Sequence, residues 1–164
     1  MLFLLFKIGE QHFAIAASQV RKVVPRVALA SIPSAPEFAA GLMNYRANLV
    51  PVVDLCRLAT GKPSALKMST RIILIDYTLA DGRSQILGLL AEHMVETVTS
   101  KQPLLPPAVI KFDDLHDCPT TLMQSNDAIQ LFDLRRMLPT QEINTLFTHL
   151  REAKDSDQPE FNQV

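Results

Sequence analysis

Arg71-Ile72-Ile73-Leu74-Ile75 constrains the fold more than any other part of this chain. The run is β-branched and continuously apolar, so a strand here must be covered on both faces. Asp81-Gly82 follows as the clearest hairpin signal in the sequence. The strand returning from that turn is Gln85 to Ala91, continuing towards Val98. A strand buried on two sides needs further β structure around it.

The rest of the chain has the pieces. Leu2 to Ile8 is an apolar run closed by Gly9-Glu10, and His12 to Ala16 is a second, so the two read as a hairpin. Ala17-Ser18-Gln19 reads as a helical turn before Val20 to Val24, which Pro25 terminates. Val27 to Phe38 holds Pro33 and Pro36 and reads as an irregular connection, because proline cannot donate within a central ladder. Leu49 to Leu55 resumes strand character, with Pro51 at a strand start, edge or bulge. Leu55 to Thr60 reads as a short helix before a turn at Gly61 to Ser64. A loop rich in Pro, Asp and Leu covers Lys101 to Pro119, and a last strand runs from Ala128 to Phe132.

After Pro139, residues Ile143, Leu146, Phe147 and Leu150 recur with the spacing of one helix face. Thr140 is the expected N-cap and Glu142 favours the first turn. Residues 151–164 are polar and are expected to form a disordered tail behind a single domain at 1–150. About eight to ten short strands with one long helix predict an all-β barrel or sandwich fold. There is also an internal echo. Val50-Pro51-Val52-Val53-Asp54-Leu55 resembles Ile129-Gln130-Leu131-Phe132-Asp133-Leu134, as expected of two similar β lobes.

Composition excludes several functions. A chain of 164 residues can bury one core, or two small fused ones, without disulfides or a metal. Sixteen Lys and Arg against seventeen Asp and Glu give a net charge of −1, without the basic excess of a nucleic-acid or anionic-membrane binder. Only five glycines occur, and none are spaced closely enough to cradle a phosphate, which excludes Walker-type and Rossmann sites. Cys56 and Cys118 form neither a disulfide framework nor a zinc pattern, and read as reduced thiols of a cytoplasmic protein. The start, MLFLLFKIGEQ, lacks the charged n-region and cleavage site of a signal peptide. No run approaches the ~18 apolar residues of a membrane span.

No catalytic set, metal site or cofactor is expected. His12, His93, His116 and His149 are scattered, and the Asp113-to-Cys118 cluster reads as a solvated acidic loop. Ser18, Ser69 and Ser84 lack the glycines of a nucleophile elbow. Asp54 and Asp133 read as helix-start caps, not as an acid pair. Gly41 to Pro51 stands apart, because Asn44, Arg46 and Asn48 precede a buried strand and suit a surface that a partner reads. A solvated turn with Asn44 on local backbone accounts for them equally.

Phe6-Lys7-Ile8-Gly9, Phe13-Ala14-Ile15, Val20 to Val24, Ile32-Pro33 and Pro36-Glu37-Phe38 resemble the opening of the CheW family of chemotaxis adaptors. Gly41-Leu42-Met43-Asn44-Tyr45-Arg46 and Val50-Pro51-Val52-Val53-Asp54-Leu55 are similar to that family's G-x-x-N-x-R-G and V-P-V-x-D-L signatures. Leu87 to Glu92, with Val95 to Val98, resembles its later strand. The resemblance runs from about Leu2 to Leu138. It implies two small five-stranded, SH3-like β-barrel lobes sharing a core, plus the C-terminal helix. It also implies a non-catalytic adaptor between the cytoplasmic hairpin tip of a transmembrane chemoreceptor and the regulatory domain of a CheA-like histidine kinase. Val20, Asn44, Arg46 and Met94 are the implied receptor-binding residues, and Lys22, Ala40 and Gly41 the kinase-binding ones. Ala47 replaces the family's glycine, and Lys22 stands where many members carry an acid. The Gly61-Lys62-Pro63 and Ser69-Thr70-Arg71 spacing looks like adaptors of Wsp-type surface-sensing clusters. The rival reading is a small β-barrel that binds a ligand or nucleic acid, and nucleic-acid binding needs exposed aromatics over a basic groove. The chain has no Trp and only Tyr45 and Tyr77 as tyrosines.

Overall fold

The computed structural model describes residues 2–99, 121–124 and 127–156. The expected loop at 101–119, its Asp113-to-Cys118 cluster and the last residues of the tail lie outside the described residues.

The chain runs β1 (Leu2–Ile8), β2 (Gln11–Ala16), a 3₁₀ turn (Ala17–Gln19), β3 (Val20–Pro25), β4 (Ala39–Tyr45), β5 (Asn48–Asp54) and α1 (Leu55–Thr60). It continues with β6 (Arg71–Thr78), β7 (Ser84–Thr99), β8 (Thr121–Gln124), β9 (Asp127–Leu131), α2 (Leu134–Met137) and α3 (Thr140–Ser156). The strands make two five-stranded lobes because the long β7 serves both. Its first half pairs antiparallel with β6 and parallel with β5, which β4 extends, while β3 lies on the far side of β6. Its second half pairs with β1, followed by β2, β9 and β8. The changeover is a bulge. Leu5 opposes Glu96 but Lys7 opposes Glu92, and His93 within the bulge has φ +53°. Extra residues bend a strand, which re-aims β7 from one sheet to the other.

This architecture explains the apolar run in β6. Ile73, Ile75 and Tyr77 face a seam core shared by the lobes, together with Leu87, Leu89, Phe6, Phe13, Ile15 and Phe132. Ile72 and Leu74 face the other way, into a lobe core with Met43, Val50, Val52 and Leu90. The β1 lobe has its own small core of Phe3, Leu5, Ala14 and Ile129. Phe6, Phe13 and Phe132 meet at the seam with ring centroids 5.6–6.2 Å apart. Ile143 and Leu146 of α3 are fully buried, and Phe147 stacks on Tyr77 at 6.4 Å.

The internal echo is structural. β5 and β9 each enter their lobe by parallel pairing; β5 ends at Asp54, Asp133 stands two residues after β9, and each of these aspartates caps a short helix. Asp54 accepts from the backbone N–H groups of Cys56 and Arg57, and Asp133 from that of Arg135. Pro51 is tolerated inside β5 because pairing with β7 begins only at Val52.

Three details differ from expectation. Helix α3 continues past Leu150 to Ser156, through the start of the expected tail. Arg151, Glu152, Ala153 and Lys154 favour helix intrinsically, and polarity alone does not separate a solvated helix end from a coil. Thr140 lies within the first turn instead of capping it, since the Ile143 N–H already donates to the carbonyl of Pro139 at 3.0 Å. Strand β8 was not expected. Its four residues are too few to show a period.

Candidate interaction surfaces

The β4–β5 connection is a two-residue hairpin. Tyr45 pairs with Asn48, and both residues between them have positive φ, +49° at Arg46 and +64° at Ala47. Positive φ at both centres marks a type I′ turn, normally Asn-Gly, whose twist matches the flanking strands. The backbone therefore keeps the glycine-type angle with an alanine in it, and the turn carries strain at an exposed position. The Arg46 guanidinium lies over the Tyr45 ring, 5.4 Å from its centroid. Asn48 makes the local backbone contact, its Nδ2 donating to the carbonyl of Arg46 at 3.4 Å. Asn44 is exposed on β4 opposite Leu49.

Val20 and Met94 both border the seam core. Val20 opens β3 opposite Ile75, Met94 follows the β7 bulge, and both are half-buried against the shared core. Asn44 and Arg46 belong to a different element, the β4–β5 hairpin. Lys22 is exposed on β3, opposite Leu74. Its neighbour Arg21 is paired with Asp76 at 2.7 Å.

Ala40 and Gly41 sit at an irregularity in the β4–β5 register. Gly41 is buried with φ +145°, and a Cβ there would stand 2.6 Å from the carbonyl oxygen of Ala30. Ala30 and Leu42 exchange backbone hydrogen bonds of 2.9 and 2.8 Å at this point. Gly41 thus shapes the backbone beside Ala40 and has no side chain to offer a partner. The two expected sides are interleaved along β3 and β4, with Val20 beside Lys22 and Asn44 beyond Gly41.

Sequence reasoning passed over the connection between α1 and β6, where Leu66 and Met68 are 69% and 93% exposed. The available signal was two large apolar residues flanking Lys67, just after the turn read at Gly61 to Ser64. Among the described residues no three His, Cys, Asp or Glu side chains are grouped to hold a metal ion. No described helix is long and apolar enough to cross a membrane.

The molecule is thus a two-lobed β protein whose candidate groups lie on strand edges, a strained turn and the seam between lobes. Residues 2–142 match the CheW-like domain family, and the chain belongs to it. It is 24% identical to the chemotaxis protein CheW of Helicobacter pylori, over 77% of this chain and 74% of that protein. It is 25% identical to the probable chemotaxis protein CheW of Rhizobium etli, over 87% and 84%. Protein PilI of Pseudomonas aeruginosa is 22% identical over 65% of this chain and 61% of its own length. The crystal structure of scaffolding protein TtCheW from Thermoanaerobacter tengcongensis shares the fold. The TM-score is 0.66 at 22% identity, covering 81% of this chain and 84% of that one.

Proposed function

We propose that this chain is a non-catalytic scaffold adaptor that couples chemoreceptors to a CheA-type histidine kinase in the cytoplasm. The observation that carries this reading is the family match, which spans both lobes and the seam between them. Two relatives similar over most of this chain are named as chemotaxis proteins, and TtCheW as a scaffolding protein. The pathway served is chemotaxis or a Wsp-like surface-sensing system.

An adaptor without an active site transmits a signal only if its contacts differ between the signalling states of its partners. Val20 and Met94 on the seam, with Asn44 and Arg46 on the hairpin, are the proposed receptor side. The turn presents Arg46 in a fixed orientation, so its donors set the register of a bound helix while the apolar seam supplies area. Lys22 and the irregular backbone at Ala40 and Gly41 are the proposed kinase side. Exposed Lys22 suits a kinase surface that carries a matching carboxylate. Nucleic-acid binding is disfavoured, since Tyr77 is buried beneath Phe147 and Tyr45 lies under Arg46, so neither is a free stacking platform.

Calorimetric titration with the regulatory domain of the CheA-like kinase from the same genome tests this reading. One-to-one binding that weakens on Lys22→Glu is expected. A folded sample that does not bind would refute the adaptor assignment.

A further inference from the structure

We propose that loop 61–70 is an additional receptor-facing contact, a rigid cationic knob whose Leu66 and Met68 insert into an apolar stripe flanked by carboxylates on the receptor's helical hairpin. The inference rests on the adaptor reading and extends its receptor side beyond Met94.

The loop is held in place. Ser64 is buried and donates to the Asp54 carboxylate through its N–H at 2.9 Å and its hydroxyl at 2.5 Å. Thr70 is fully buried, its hydroxyl donating to the carbonyl of Ala65 at 2.7 Å and accepting from the N–H of Lys67 at 3.3 Å. The Ala65 N–H donates to the Glu92 carboxylate at 2.6 Å, and Arg71 donates to the carbonyl of Met68. A loop tied down by buried polar groups cannot fold its apolar side chains inward. Leu66 and Met68 are nonetheless aimed at water, 69% and 93% exposed, with exposed Lys67 between them. Leu66 and Met68, held in solvent on one loop, offer a small apolar contact, and the flexible thioether of methionine adapts to a helical stripe.

Charge and position select the partner. Lys62 and Lys67 are the loop's exposed charges, while the carboxylates that touch it, buried Asp54 and half-buried Glu92, are taken up by its Ser64 and Ala65 donors. The complementary surface therefore carries carboxylates. The loop is joined to the proposed receptor side by the Met94 N–H, which donates to the carbonyl of Ser69 at 3.1 Å. The left-handed angle of exposed His93 lies at the same junction, where β7 crosses between lobes.

The full chain, a Leu66→Ser/Met68→Ser variant and a Lys62→Glu/Lys67→Glu variant would each be titrated with the receptor hairpin and with the kinase regulatory domain. All four side chains are exposed, so circular dichroism should match the parent. Each variant should bind the hairpin about tenfold more weakly, with kinase binding unchanged. The loss from charge reversal should shrink as salt is raised. If the parent binds the hairpin and both variants bind it equally, the knob is refuted while the adaptor reading stands. If the parent binds neither partner, both readings fall. A loss confined to the kinase would overturn the assignment to the hairpin. So would Leu66- and Met68-dependent self-association, or pelleting with phosphatidylglycerol vesicles, in place of hairpin binding.

Discussion

Asp54 and Asp133 hold matching places in the two lobes, yet removing them should have unequal consequences. Asp133 is exposed and accepts from the Arg135 N–H at 2.9 Å. Losing such an N-cap costs about 1 kcal/mol. Its contact with Arg136, 3.7 Å away in solvent, adds little. Asp54 is only 4% exposed and accepts four hydrogen bonds, from Cys56 N–H, Arg57 N–H, Ser64 N–H and the Ser64 hydroxyl. Asp54→Ala removes the same cap and also strands the two Ser64 donors in a buried position. Each such bond to a charged group contributes about 1.5–3 kcal/mol. The expected loss is about 4–7 kcal/mol for Asp54→Ala against about 1 kcal/mol for Asp133→Ala. Equilibrium urea unfolding measures both, with midpoints compared at a common slope because the lobes share one seam core. If Asp54→Ala does not fold, Asp54→Asn keeps an acceptor for the helix start while misplacing a donor against Ser64, and should fall between the two. Losses within about 0.5 kcal/mol of each other would show that the buried network does not hold this corner.

Three further outcomes are expected. Ala47→Gly should raise stability to urea by about 0.5–1 kcal/mol, because a residue at φ +64° is relieved of its Cβ strain; a lower midpoint would contradict the type I′ assignment. Arg46→Ala should weaken binding of the receptor hairpin while leaving the melting temperature within about 1 °C, since the side chain is exposed. Unchanged hairpin binding would remove Arg46 from the receptor side. The hydrogen bond from the Arg83 side chain, followed by that from its backbone, holds the Asp81 carboxyl below its ordinary value of 3.8. The folded value then lies below the unfolded one, so the pair's contribution is present above pH 3.8 and lost as pH falls through the folded midpoint. An NMR titration placing the Asp81 midpoint at or above 3.8 would contradict that pairing.

The sequence carried the fold furthest where two periodicities coincide. Ile72 to Ile75 read as a strand covered on both faces because one side meets the seam core and the other a lobe core. The Asp-Leu echo was legible because a helix cap is local chemistry, the same six-residue pattern serving in each lobe. Non-local features were hidden. Nothing at Glu92-His93-Met94 announces a bulge, since the shift in register depends on β1, far away in sequence. The end of α3 was hidden because polar residues fit several local states, and β8 because four residues show no period. At the candidate site, motif resemblance singled out Asn44, Arg46 and Gly41. It did not show that Gly41 is needed against Ala30, or that Ala47 would keep the left-handed angle. Only Gly61 to Ser64 of loop 61–70 read as a turn, and the rest of its shape was hidden because the groups that fix it, Asp54 and Glu92, come from other elements.

Bridging is the central claim, and a three-component sedimentation experiment measures it directly. The receptor hairpin and the kinase regulatory domain would be centrifuged together with and without this chain. The adaptor account predicts that a species containing all three appears only when the chain is present. It should be depleted by Arg46→Ala through loss of the hairpin and by Lys22→Glu through loss of the kinase. A chain that binds either partner alone, but never both in one species, would contradict it.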